Sequence, residues 1–86
     1  MQRKWVRSSS YRSAIGKIIE ARRKADMSQR DLAAALGKPP SWVAKVEQME
    51  RRLDLIEFIA VARALGLSEI ELLRTVASAL PKRPDI

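Results

Sequence analysis

The 86-residue sequence contains neither cysteine nor histidine. Without cysteine there is no disulfide framework and no thiolate nucleophile, and without both there is no zinc site of the Cys or His kind. The loss of histidine also removes the usual general base near neutral pH and the commonest transition-metal ligand. Most catalytic chemistry is thereby excluded, so no enzyme, cofactor or metal is expected. An enzyme would have to rest on carboxylates, and Asp26, Asp31, Glu50 and Asp54 read more naturally as helix caps and surface charges. Long apolar runs are missing as well. The longest, Leu32–Leu36 and Phe58–Ala62, are five residues each, against the ~20 that a membrane-spanning helix needs. The opening stretch Met1–Ser10 is basic but leads into no apolar region, so it does not read as a secretory signal. These absences leave a cytoplasmic or chromosome-associated protein as the expectation.

What is present is a small, basic, well-patterned chain. A length of 86 residues suits one domain, since independent cores take ~50–250 residues. The hydrophobic fraction of 47% is too high for intrinsic disorder. The formal charge is +7, and it lies in one place. Residues 1–24 hold Arg3, Lys4, Arg7, Arg12, Lys17, Arg22, Arg23 and Lys24 against Glu20 alone, while the rest of the chain sums to zero. A concentrated positive field attracts a polyanion, most often nucleic acid. The competing reading is a solubilising basic tail.

Residues 1–10 carry no periodicity and read as a flexible basic arm, residues 11–80 as the folded domain and residues 81–86 as a polar tail. From Tyr11 to about Ala25, the positions Tyr11, Ile15, Ile18 and Ile19 have the spacing of an amphipathic helix. Ser28 and Asp31 form a capping box that opens a second helix, with Leu32, Ala33 and Leu36 inward. Gly37 ends it, being suited to a left-handed C′ position. Pro40 starts a third short helix, because the first turn leaves its missing N–H unpaired in any case. It runs to about Gln48 with Val43 and Val46 inward. Asp54 with Glu57 opens a fourth, whose buried stripe is Leu55, Phe58, Ile59, Ala62 and Leu65 and which Gly66 ends. Ser68 with Glu71 opens a fifth, running to about Leu80. No alternating strand pattern and no repeat is present, so the fold class is all-α with five short helices.

The segment Ser28–Gln48, SQRDLAAALGKPPSWVAKVEQ, reads as two short helices joined by a tight glycine-containing turn. Patterning alone fits an ordinary αα-hairpin equally well. From Ile15 to about Leu73, however, the stretches SQRDLAAALG, WVAKVEQ and RRLDLIEFIAVARALGLSEIELL resemble, in order, the lambda-repressor/Cro-like (XRE) helix-turn-helix family. Ser28, Gln29, Leu32, Ala33, Gly37 and Glu47 match residues that this family usually carries. The resemblance implies a five-helix lambda-repressor-like DNA-binding domain with the helix-turn-helix at helices two and three. It further implies sequence-specific binding to double-stranded DNA by a dimeric transcriptional regulator. Three departures stand out: Lys38 replaces a usual apolar residue, two consecutive prolines, Pro39 and Pro40, open the third helix, and Met49 stands where glycine is usual, so a different turn is expected there.

In that fold the third helix enters the major groove with its early residues on base edges. At 100° per residue, Val43, Val46 and Glu47 share one side, and Ser41, Ala44, Lys45 and Gln48 the other. The candidate base readers are therefore Pro40, Ser41, Trp42, Ala44, Lys45 and Gln48. Lys45 comes first, because a basic side chain donates naturally to guanine O6 and N7; its other use is phosphate contact. Trp42, on the flank, either packs on a thymine methyl or sugar or closes the core. Gln29 lies in the first turn of helix two, where N–H groups and the dipole favour an anion, and the resemblance has it grip the DNA backbone. By the same resemblance Arg51 and Arg52 match phosphate-touching positions. Arg30, Lys38 and the basic residues of helix one and the arm are further phosphate candidates, and the arm is expected to follow a groove. The resemblance also pairs Arg22 with Glu47, locking the recognition helix to the scaffold, with Arg22 presented to a phosphate as well.

One such module spans few base pairs, so two are expected, on half-sites about 34–36 Å apart. In helix five, Ile70, Leu72, Leu73, Val76, Ala77 and Leu80 cover about 160° of the wheel, wider than one packing contact uses. Ile70, Leu73 and Ala77 are expected inward, with Leu72, Val76 and Leu80 reaching a second subunit; alternatively all six cover the core. The leading reading is a repressor binding a pseudopalindromic operator as a homodimer. The alternative is an antitoxin or co-regulator that binds a partner protein as well as DNA, which the short stretch Lys82–Ile86 after Pro81 disfavours.

Overall fold

Helix boundaries follow from the groups that satisfy the backbone N–H and C=O that helix ends leave open. The computed structural model describes residues 4–86. It contains a 3₁₀ turn at Lys4–Arg7 and five α-helices: α1 Ser9–Lys24, α2 Gln29–Leu36, α3 Pro40–Glu47, α4 Leu55–Ala64 and α5 Glu69–Ser78. Ser8 opens α1 by accepting the Tyr11 N–H at 3.0 Å. Ser28 with Asp31, and Asp54 with Glu57, form reciprocal boxes at the starts of α2 and α4. Pro39 and Pro40 start α3 with no side-chain cap. The expected box at α5 is replaced by a single bond, in which the Ser68 hydroxyl accepts from the Ile70 N–H.

Four helices end in one way. The N–H of Met27, Lys38, Glu50 and Leu67 reaches back to the carbonyl of Arg22, Ala33, Lys45 and Ala62, at 2.8–3.2 Å. The chain reverses just before each through a left-handed residue: Asp26 (φ 58°), Gly37 (68°), Met49 (64°) and Gly66 (76°). This is the Schellman arrangement, which glycine adopts without steric cost. The different turn expected after α3 does not occur, because Met49 takes the left-handed geometry itself. Its side chain packs on the core, which offsets the ~1–2 kcal/mol that a Cβ costs there.

The core is aliphatic, built from Ile15, Ile18, Leu32, Ala33, Val43, Val46, Val61, Leu65 and Val76. α2 packs on α3 and α4, α1 on α3 and α5, and α4 on α5. Ala33 is wholly buried. Overpacking a site of this kind typically costs ~1–3 kcal/mol. Among the described residues, no helix is long and apolar enough to cross a membrane.

Three expectations are corrected. The phase of α5 is the reverse of the one expected: Leu72 and Val76 are buried, whereas Ile70 (64%) and Leu73 (55%) stand in solvent. Leu72, Val76 and the half-buried Leu80 therefore do not form a face for a second subunit. A broad apolar arc does not say which of its edges turns inward. Packing of α5 against α1 and α4 sets the rotation and aims Leu72 and Val76 into the molecule. On α4, Leu55 is exposed and Val61 takes a core place instead.

The loose arm over residues 1–10 is the third. Met1–Arg3 lie outside the described residues, but the rest of the stretch is ordered. Trp5 meets Tyr11 edge-on at 5.2 Å, Ser8 and Ser10 are buried, and the tail returns to bond them through Asp85. A serine run unreadable by periodicity is thus a set of cap and tail-binding hydroxyls.

The shared helix ending gives a test. Asp26 is exposed and left-handed, so Asp26→Gly is expected to raise unfolding free energy by about 0.5–1 kcal/mol, and Gly37→Ala to lower it by about 1 kcal/mol. Urea titration of both variants checks the opposite signs.

Candidate nucleic-acid interface

α2 and α3 are short, so the direction of α3 depends on what holds its two ends. Its inner side is fixed by buried Val43 and Val46. Its far end is held by Glu47. Glu47 Oε2 accepts from Arg22 Nε at 2.7 Å, and Oε1 accepts from Arg22 Nη2 at 3.0 Å and from Gln29 Nε2 at 2.8 Å. Arg22 Nη1 donates to the Met27 carbonyl at 2.8 Å. One carboxylate therefore joins α1, the first turn of α2 and the last turn of α3. The side chains of Arg22 and Glu47 are only 9% and 7% exposed. Arg22 is thus a scaffold residue, and the phosphate contact also expected of it is corrected, because its guanidinium is buried against Glu47 and Met27.

The opposite side of α3 stands in solvent. Pro40, Ser41, Lys45 and Gln48 are exposed, and Ala44 and Trp42 half-buried. Trp42 packs on the core and also serves as a platform. The Arg51 guanidinium lies 4.8 Å and Lys38 Nζ 5.9 Å from its ring centroid. The open alternatives for Trp42 thus resolve toward packing, with cations on its ring.

Arg51 is less free than its position in the loop suggested. Its Nη1 and Nη2 donate to Glu57 Oε1 and Oε2 at 2.9 and 2.7 Å, and Nη1 also donates to the Arg52 carbonyl at 2.8 Å. The Arg51 hydrogen bonds hold the Glu57 carboxyl below the usual carboxylate range, and the guanidinium is correspondingly harder to deprotonate. A forked pair of this kind spends the geometry that would otherwise grip a phosphate. Arg51 is therefore bound up in holding the loop after α3. Arg30, Lys38 and Arg52 are exposed around α3. The Gln29 side chain is engaged by Glu47, and its N–H belongs to the first turn of α2.

Sequence reasoning missed the Arg51–Glu57 pair and the aromatic support of Arg52. A signal for the first was present. Glu at the third position of a capping box folds back over the residues before the cap, so a basic side chain three residues ahead of Asp54 lies within its reach.

A helix-turn-helix family model matches residues 18–72, which spans the end of α1 through the buried Leu72 of α5. Among solved structures, an XRE-family like protein from Pseudomonas syringae pv. tomato str. DC3000 is 40% identical, over 85% of this chain and 89% of that one, with a TM-score of 0.77. The clp gene regulator ClgR from Corynebacterium glutamicum shares the fold at 23% identity, over 85% of this chain and 96% of its own, with a TM-score of 0.71. A second ClgR structure gives 25% identity over 79% of this chain and 73% of that one, with a TM-score of 0.68. No curated protein matches the chain.

Removal of the Glu47 carboxylate leaves three donor nitrogens, two of Arg22 and one of Gln29, without an acceptor. Glu47→Ala is expected to cost about 3–5 kcal/mol, and Arg22→Met/Glu47→Leu to recover most of that loss. Thermal melts of the two variants check it; equal melting temperatures would mean the pair carries no buried charge penalty.

Proposed function

The chain belongs to the XRE type of helix-turn-helix proteins, and on that premise we propose that it binds double-stranded DNA through α3 and regulates transcription. In this reading it is a repressor that occupies a pseudopalindromic operator as a homodimer. One observation carries the proposal. α3 buries Val43 and Val46 while Ser41, Lys45 and Gln48 stand in solvent along its other side, and Glu47 anchors the whole to the scaffold. A rigid helix with one polar, cationic edge is what a major groove accepts.

Within the groove, Lys45 donates to guanine O6 and N7, Ser41 and Gln48 meet neighbouring base edges, and Pro40 and Ala44 supply apolar contact. Trp42 stays with the helix and braces its first turn. Arg30, Lys38 and Arg52 neutralise phosphates, and Gln29 adds its remaining amide proton to the N–H groups at the start of α2. Each phosphate so neutralised steepens the log–log salt dependence of binding by about 0.9. Repression follows from occupancy, since a protein seated in the groove of a promoter excludes the transcription machinery.

The homodimer needs a face, and the stripe Ile70, Leu73 and Ala77 along α5 supports one, since these apolar side chains are exposed. The same stripe supports the second reading, in which a partner protein covers it. Two measurements follow. Duplexes selected from a random pool are titrated with Lys45→Ala; a loss of about 1–3 kcal/mol at particular base pairs is expected, whereas a uniform loss over all sequences assigns Lys45 to phosphate. Sedimentation at micromolar concentration is expected to give a dimer that Leu73→Glu converts to a folded monomer; a monomeric wild type removes the homodimer.

A further inference from the structure

The aromatic rings against the Arg52 guanidinium come from neither α3 nor the loop that follows it. Its guanidinium lies 5.5 Å from the Tyr11 ring centroid and 5.9 Å from that of Trp5. The two rings meet edge-on, 5.2 Å apart and inclined at 76°. The Tyr11 hydroxyl accepts the N–H of Leu53, the residue next to Arg52, at 3.0 Å. Behind this bracket lies the other end of the chain. Asp85 Oδ2 accepts the Ser9 N–H and Oδ1 the Ser10 N–H, both at 2.9 Å, and the Asp85 carbonyl accepts from Ser8 Oγ at 2.8 Å. The Asp85 N–H donates in return to Ser10 Oγ at 3.2 Å. Trp5, Tyr11, Arg52, Leu80, Pro84 and Ile86 border a single cleft of about 320 Å³, so the tail and the bracket face each other across one space.

We infer that the two ends of the chain together form a positioning device for Arg52. Asp85 fixes the start of α1, the turn Lys4–Arg7 packs back on that start, and the paired rings hold the Arg52 guanidinium at the edge of the DNA-facing loop. The inference rests on the DNA reading above and adds to it. Trp5 and Tyr11 are positioning residues, and the N-terminal segment acts from within the fold instead of along a groove. The physical gain is entropic. An arginine already lying over aromatic rings has less rotamer freedom to lose when a phosphate arrives, and its N–H edge stays open for that contact.

Two experiments decide it. Affinity for a selected duplex is measured for the wild type, Trp5→Leu, Arg52→Ala and the double variant. Trp5→Leu is expected to weaken binding about two- to fivefold, and Arg52→Ala to flatten the log–log salt slope by about 0.9. In the Arg52→Ala background, Trp5→Leu is expected to cost nothing further. The same cost in both backgrounds overturns the inference, because Trp5 then acts without Arg52. The second experiment needs no DNA. Ring currents of Trp5 and Tyr11 are expected to displace the Arg52 side-chain protons in the NMR spectrum, and this displacement to shrink in both Trp5→Leu and Asp85→Ala. An unchanged displacement in Asp85→Ala overturns the link to the tail. Displacements that behave as expected in a protein that binds no duplex refute the DNA reading and uphold the positioning device.

Discussion

The geometry of this molecule turns on a single carboxylate, that of Glu47, which three donor nitrogens from two other helices converge upon. α3 is only eight residues long, too short to be stable by itself in water, and its first turn has no side-chain cap. Hydrophobic contact at Val43 and Val46 fixes which side faces inward but leaves a short rod free to slide and tilt. The Arg22 fork and the Gln29 amide remove that freedom, because hydrogen bonds to a planar carboxylate are directional where apolar packing is not. Burying such a pair brings little net stability, since desolvation of both charges offsets most of their attraction. What it contributes is a single orientation for the edge that carries Lys45.

Much of this was legible in the sequence, and for local reasons. Caps and left-handed turns are decided within four or five residues, so Ser28–Asp31, Asp54–Glu57, Gly37 and Gly66 could be read directly. The inward faces of α2 and α3 were legible too, because each carries a narrow apolar stripe. Lys45 is exposed on the side that the helical wheel assigned to it. The Arg22–Glu47 pairing was accessible only through family resemblance, since nothing local joins residues 25 positions apart.

What was not legible depends on contacts distant in sequence. The stripe on α5 is broad, and the rotation that buries Leu72 in place of Leu73 comes from α1 and α4. The serines before α1 have no hydrophobic period, and their partner lies some 75 residues away. Net charge misled in a similar way. The excess of +7 sits in residues 1–24, yet the exposed cations around α3 come from the neutral remainder. Of the N-terminal cations, Arg22 is buried, and Lys17, Arg23 and Lys24 line a groove shared with Leu72 and Thr75 of α5. Summed charge thus describes the long-range field of the molecule, while the exposed cations around α3 come from a stretch whose charges cancel as a whole.

The bonds between Asp85 and the serines at the head of α1 make the polypeptide behave as a ring closed without a covalent link. In most small domains the first and last few residues fray independently, each at little cost to the rest. Here release of either segment takes hydrogen-bond partners from the other, which couples the two. The loss of a few terminal residues, which elsewhere would be a cosmetic change, would in this chain be felt at the opposite terminus.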